Sequence, residues 1–92
     1  MEINHSDDGK KGKFFIQENG KSLAEMTYIW VGDEKIIIDH TEVDDVLRGK
    51  GAGKQLLTSL VEFARAKKIK VIPLCPFAKS VFDKVEAFQD VL

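Results

Sequence analysis

Between Leu47 and Leu57 the chain reads Leu-Arg-Gly-Lys-Gly-Ala-Gly-Lys-Gln-Leu-Leu, with glycines at 49, 51 and 53 directly ahead of an amphipathic run. A strand-like stretch, Ile36 to Val43, comes just before it. Strand, glycine-rich turn and helix in that order aim unpaired backbone N–H groups and the positive end of the helix at an anion, a phosphate above all. Three further residues carry reactive chemistry. Cys75 stands before Pro76, at the start of a second helical segment, where a thiol can serve as nucleophile or proton donor. His40 can take a proton directly or through water. Thr41 can fix a water or a carbonyl, and Glu42 can attract a cation. Each has a plainer competing reading: Cys75 as a small buried apolar residue, His40 as a core histidine in phase with Ile36 and Ile38, Thr41 and Glu42 as ordinary strand residues. His5 is assigned no role.

The spacing of the glycine run discriminates among phosphate ligands. A P-loop needs glycine where Arg48 stands and Ser or Thr where Gln55 stands, so the motif has no magnesium ligand. The dinucleotide fingerprint needs a third glycine where Lys54 stands. A bare tight turn would need fewer glycines than three on alternate positions. Two histidines and one cysteine, far apart, offer no metal-ligand spacing, and no metal is expected.

The elements that must hold these residues fit one small domain. With 92 residues there is room for one core, and 43% apolar with 32% charged residues describes an ordinary globular chain. A net charge of −1 argues against a dedicated nucleic-acid binder. No apolar run reaches the roughly 20 residues of a membrane span. With no signal-peptide pattern and a single cysteine, a cytoplasmic protein is expected. Residues 1–9 read as a disordered leader. Lys13–Gln17, Leu23–Trp30 and Lys35–Val43 read as an antiparallel three-strand meander, with Asn19-Gly20 as the first hairpin turn. Leu56, Leu57, Leu60, Val61 and Ala64 give helical periodicity over 51–68. A fourth strand over 69–74 should lie parallel to the third across a right-handed crossover, with Pro73 marking an edge or a break. The last helix should start at Pro76 and bury Phe77, Val81, Phe82 and Val85.

Arg48-x-x-Gly51-x-Gly53, five residues after Val43, resembles the R/Q-x-x-G-x-G/A acetyl-CoA signature of the GNAT N-acetyltransferase superfamily. With Asp39-His40-Thr41-Glu42-Val43 and Leu74-Cys75-Pro76-Phe77, the chain is most similar to its very small standalone branch (YjdJ-type proteins). The resemblance implies a minimal α/β (α+β-like) GNAT domain over 1–92. It implies acetyl-CoA as cofactor, its pyrophosphate held by the backbone of Gly49, Lys50, Gly51, Ala52, Gly53 and Lys54, with Arg48 in the motif. The pantetheine arm would pair with the backbone of Glu42, Val43 and Asp44, and the thioester would lie near Cys75. An acetyl group would then pass to an amine on a small molecule or a protein, with Cys75, His40 and Thr41 as candidate catalytic residues. Two departures from the family bear on this. Phe82 stands where many of these enzymes carry a proton-donating tyrosine, and the helices that enclose the acceptor are replaced by the Asn19-Gly20 turn. A homodimer completing the cleft, or an exposed acceptor, fits the second departure. A non-catalytic acetyl-CoA or CoA sensor fits the first, and an interaction domain that has lost its ligand is the third reading.

Overall fold

The computed structural model describes residues 2–92. Five strands form one sheet in chain order: β1 (Asn4–Asp7), β2 (Lys11–Glu18), β3 (Lys21–Val31), β4 (Lys35–Val43) and β5 (Lys70–Pro73). The first four are antiparallel, and β5 runs parallel to β4. Helix α1 (Ala52–Lys67) joins β4 to β5, and helix α2 (Pro76–Lys84) follows, before a 3-10 segment, Glu86–Val91. This is the expected α/β arrangement with one added strand.

That added strand overturns the disordered leader. Asn4–Asp7 pairs with β2 through Asn4↔Phe15 to Asp7↔Gly12. The anchor lies beyond what strand propensity reads. His5 stacks on Phe14 with ring centroids 4.1 Å apart, and its Nε2 lies 2.6 Å from the Tyr28 hydroxyl. Tyr28 donates to Asp7 Oδ2 at 2.6 Å, and Trp30 Nε1 donates to the same oxygen at 2.8 Å. Tyr28 reaches β1 by crossing over Gly12, where any Cβ would collide with the phenol ring.

The first hairpin turns at Asn19 (φ 51°) and Gly20 (φ 78°), the two positive φ values that a tight primed turn requires. Leu56, Leu57, Leu60, Val61 and Ala64 of α1 are fully buried against Tyr28, Met26, Ile36 and Ile38 of the sheet. The α1 C-terminus closes with Lys68 in the left-handed region (φ 58°), its N–H and that of Ile69 returning to the Ala64 carbonyl. Arg65 ties the tail to α1 through Asp90 and the Ala87 carbonyl. The expected buried stripe of α2 is corrected: Ala78 and Phe82 are buried, whereas Phe77 is 38% exposed. At the edge of the layer α2 has one narrow contact stripe, and Phe77 turns toward α1 instead.

Candidate functional site

β4 has nine residues, but β5 pairs only with Lys35–Ile38. Pro73 brings no N–H to a ladder, and beyond it the amides of Leu74 and Cys75 both donate to the Ile38 carbonyl, at 3.1 and 3.0 Å. The chain then leaves the sheet into α2. Asp39–Val43 therefore has an uncovered edge, and a V opens between β4 and α2.

The backbone facing that V follows from the β3–β4 ladder. Asp44 N donates to Leu23 O at 2.7 Å, so with antiparallel alternation Glu42 and His40 also bond toward β3. Thr41 and Val43 turn their N–H and C=O groups to the open side. Of the expected Glu42, Val43 and Asp44, only Val43 presents backbone there, joined by Thr41. The Asp44 side chain instead caps the 3-10 turn Asp45–Leu47, its Oδ1 accepting from Val46 N at 3.0 Å, and buried Leu47 pins that turn to the core.

The glycine loop closes the mouth of the V. Gly49 (φ 80°) and Gly51 (φ 72°) lie in the left-handed region, which a side chain would strain. Amides of Gly49, Gly51, Ala52, Gly53 and Lys54 donate to no acceptor among the described residues. Lys50 does not join them, because its N–H is held by Leu47 O at 3.1 Å. Arg48 is exposed and pairs with Asp45 at 2.8 Å. Gly53 has a different reason for being glycine: a Cβ would stand 2.5 Å from Cζ of Phe77. That contact is not legible in the sequence, since nothing in a helical pattern says which aromatic ring the next helix lays across the first turn. The cavity so formed, about 420 Å³, runs from the loop past Val43, Phe77 and Val81. Its anion-binding end and apolar walls fit a phosphate joined to a slender apolar arm.

Thr41 and Cys75 meet where the V narrows. Cys75 is buried at the N-cap of α2, and its thiol donates to Thr41 Oγ1 at 3.3 Å. His40 does not join them, and its expected core position is corrected. A β-bulge opposite Thr27/Tyr28 gives β4 one extra residue, Asp39, which shifts the phase of every later side chain. Thr41 and Val43 then inherit the face of Ile36 and Ile38. His40 is turned out, its side chain 61% exposed and its Nε2 3.5 Å from Glu42 Oε2. Phe82, at the expected tyrosine position, is buried at 1% exposure and carries no hydroxyl. Among the described residues no group of three candidate ligands could hold a metal, and no helix is long and apolar enough to cross a membrane.

A splayed β4/β5 pair with an amide-lined loop at its mouth defines a class of fold, that of the GNAT acetyltransferases. The family model for GCN5-related N-acetyl-transferases matches residues 13–91, and the chain belongs to that family. A GCN5-like protein of Staphylococcus aureus, solved by NMR, is 43% identical, with a TM-score of 0.78 over 98% of this chain and 85% of that one. Protein NATD1 of Xenopus tropicalis is 32% identical over 69 residues, 74% of this chain, which spans only 63% of that relative's length. A GNAT acetyltransferase of Elizabethkingia anophelis, with acetyl-CoA bound, shares the fold at 18% identity, with a TM-score of 0.59 over 70% of this chain and 42% of that one.

Proposed function

We propose that this chain binds acetyl-CoA in the V and transfers its acetyl group to an amine. The observation that carries the reading is that two stretches of unsatisfied backbone line one cleft, the five free loop amides at its mouth and the open β4 edge at Val43 and Thr41, with the Cys75 thiol at its narrow end. The loop amides fit a pyrophosphate, with Lys54 adding charge from the cavity wall. The β4 edge fits an extended amide chain added like a strand. Val43, Phe77 and Val81 keep water from its apolar stretch.

Acetyl-CoA supplies an activated acyl thioester, and the side chains at the narrow end supply the rest. Thr41 orients Cys75. In direct transfer, Cys75 gives its proton to the departing thiolate and recovers one from solvent, a role that buried Phe82 cannot take. In the covalent variant, Cys75 sulfur bonds to the acetyl carbon while its proton goes to the released thiol, and an incoming amine then displaces the sulfur. His40, placed on the outer face with Glu42, takes the proton of the amine through water. The acceptor is an amine on a small molecule or a protein, and the cytoplasm is the proposed compartment.

Turnover tests the reading. Wild-type protein should release CoA thiol from acetyl-CoA in an amine-acceptor screen, with Gly51→Asp losing both binding and release. Tight acetyl-CoA binding with no turnover on any acceptor would favour the second reading, a cofactor sensor, which the missing hydroxyl at Phe82 supports.

A further inference from the structure

Both helices pack on one face of the sheet and share one core with it. The V is walled on that side by α1, Phe77 and Val81, and on the other side no helix among the described residues covers it. A cofactor seated from the helix side therefore leaves a second way in, between Asp39 on β4 and Leu74 where the chain leaves β5. An acceptor bound for a thioester near Cys75 meets the bare face at this gap.

The residues beside the gap are of two kinds. Burial alternates along 71–75: Val71 and Cys75 are buried, while Ile72 and Leu74 are 37% and 66% exposed. Ile37 stands directly opposite Ile72 on β4, and none of Ile37, Ile72 and Leu74 belongs to the core. Together they form an apolar strip that starts at the gap. Asp39, turned outward by the bulge, heads the strip, its Oδ1 accepting from Thr27 Oγ1 at 2.6 Å. His40 and Glu42 follow on the same face. The lysines of this face lie away from that end. Lys11 and Lys13 are on β2, two strands or about 10 Å from β4, and the Lys13 ammonium sits 4.8 Å from the centre of the Phe15 ring. Lys35 lies past the far end of the strip, and Lys70 reaches the Asp90 carbonyl at 3.1 Å.

We propose that the acceptor is a primary amine on an unbranched apolar chain, its ammonium at Asp39 and its chain laid along Leu74, Ile72 and Ile37. This rests on acetyl transfer in the V. A carboxylate at the head of an apolar strip suits a ligand that is cationic at one end and apolar beyond it. A polyamine would set its second charge on the isoleucines, and an amino acid would bring its own carboxylate against Asp39. From Asp39 to Ile37 is two residues, about 7 Å, close to the length of a six-carbon chain. The strip is open on one side, so each methylene should raise kcat/KM about twofold, half the free energy of full burial. In direct transfer the ammonium first gives one proton through water to His40. Its nitrogen then bonds to the acetyl carbon as the carbon–sulfur bond breaks. The second amine proton leaves to solvent, and Cys75 protonates the thiolate.

A chain-length series tests it. In release of CoA thiol from acetyl-CoA, kcat/KM should rise about tenfold or more from ethylamine to hexylamine and level off beyond. An ether amine of the same length as hexylamine should resemble ethylamine. Leu74→Asn and Ile72→Thr should each lower the hexylamine-to-ethylamine ratio at least threefold, with an unchanged far-ultraviolet spectrum. Binding is read without turnover: hexylamine added to ¹⁵N-labelled protein should shift the amides of Ile37, Asp39, Ile72 and Leu74, and ethylamine should shift them far less. A flat chain-length profile overturns the proposal while acetyl transfer stands. So does the absence of those shifts at about 10 mM hexylamine. Shifts at these amides without turnover on any amine would keep the strip as an amine site and overturn the transfer.

Discussion

Cys75 and Thr41 are joined by one weak thiol hydrogen bond of 3.3 Å, and the two proposed routes make different demands on the thiol. Cys75→Ser keeps a proton donor with a poorer nucleophile, whereas Cys75→Ala removes both. If Cys75 acts only as donor, serine should retain a measurable part of the rate while alanine falls by about 10²-fold or more. If Cys75 carries the acetyl group, both variants should lose it alike, and mass spectrometry of the wild type should show an acetyl adduct on Cys75. Gly53 makes a separate prediction. Because its missing Cβ leaves room for Phe77, Gly53→Ala should destabilise the fold by about 1 kcal/mol, as overpacking does. In a Phe77→Ala background the same change should cost little, which urea denaturation of the four proteins measures. Neither residue's partner is legible in the sequence. The spacing puts Gly53 in a phosphate cradle and Phe77 in the core, yet the two meet across the mouth of the cleft.

At the level of elements, the strands with strong alternation and the helix with a long apolar stripe match their sequence signals. The differences come from features that local pattern does not encode. β1 is polar, Asn-His-Ser-Asp, and its stability comes from the rings of Phe14, Tyr28 and Phe63 around His5, not from its own residue types. The bulge at Asp39 changes which face His40 occupies, and no residue type in Ile-Asp-His-Thr marks an inserted position. The β1 contact predicts a pH response. Burial, followed by the smaller effect of Lys67, lowers the pKa of His5, against an upward pull from Asp7. His5 therefore takes up a proton less readily in the fold than once unfolded, where it does so near pH 6.5. Stability is full above that pH and is lost as pH falls from it toward the lower folded value. Asp7 adds a second loss at lower pH: burial raises its pKa, but hydrogen bonds from Tyr28, the Gly9 amide and Trp30 outweigh that and lower it. Denaturation midpoints should drop as pH falls below about 6.5, and His5→Gln should flatten that slope. At the other end of α1, Lys68 holds a left-handed conformation that glycine adopts freely. Lys68→Gly should raise stability by about 1 kcal/mol, measured by thermal melting.

For the molecule as a whole, the site arises because two elements of unequal length share one edge. β4 continues where β5 stops, the helix after β4 starts with a turn of free amides, and the helix after β5 starts with a thiol. The sequence order of strand, glycine loop, helix, strand and cysteine makes the two ends of this cleft readable. The apolar walls and the bare opposite face depend on both helices taking the same side of the sheet, which no local pattern states. Family membership is established by the match over 13–91. Acetyl-CoA in the V is the claim on which the proposed chemistry rests. A titration of ¹⁵N-labelled protein with acetyl-CoA, followed amide by amide, tests it most directly. The largest shifts are expected at Gly49, Gly51, Ala52, Gly53 and Lys54, with Thr41, Val43 and Cys75 following at the same ligand concentration. Saturating shifts confined to other surfaces, or no shift at millimolar acetyl-CoA, would contradict it.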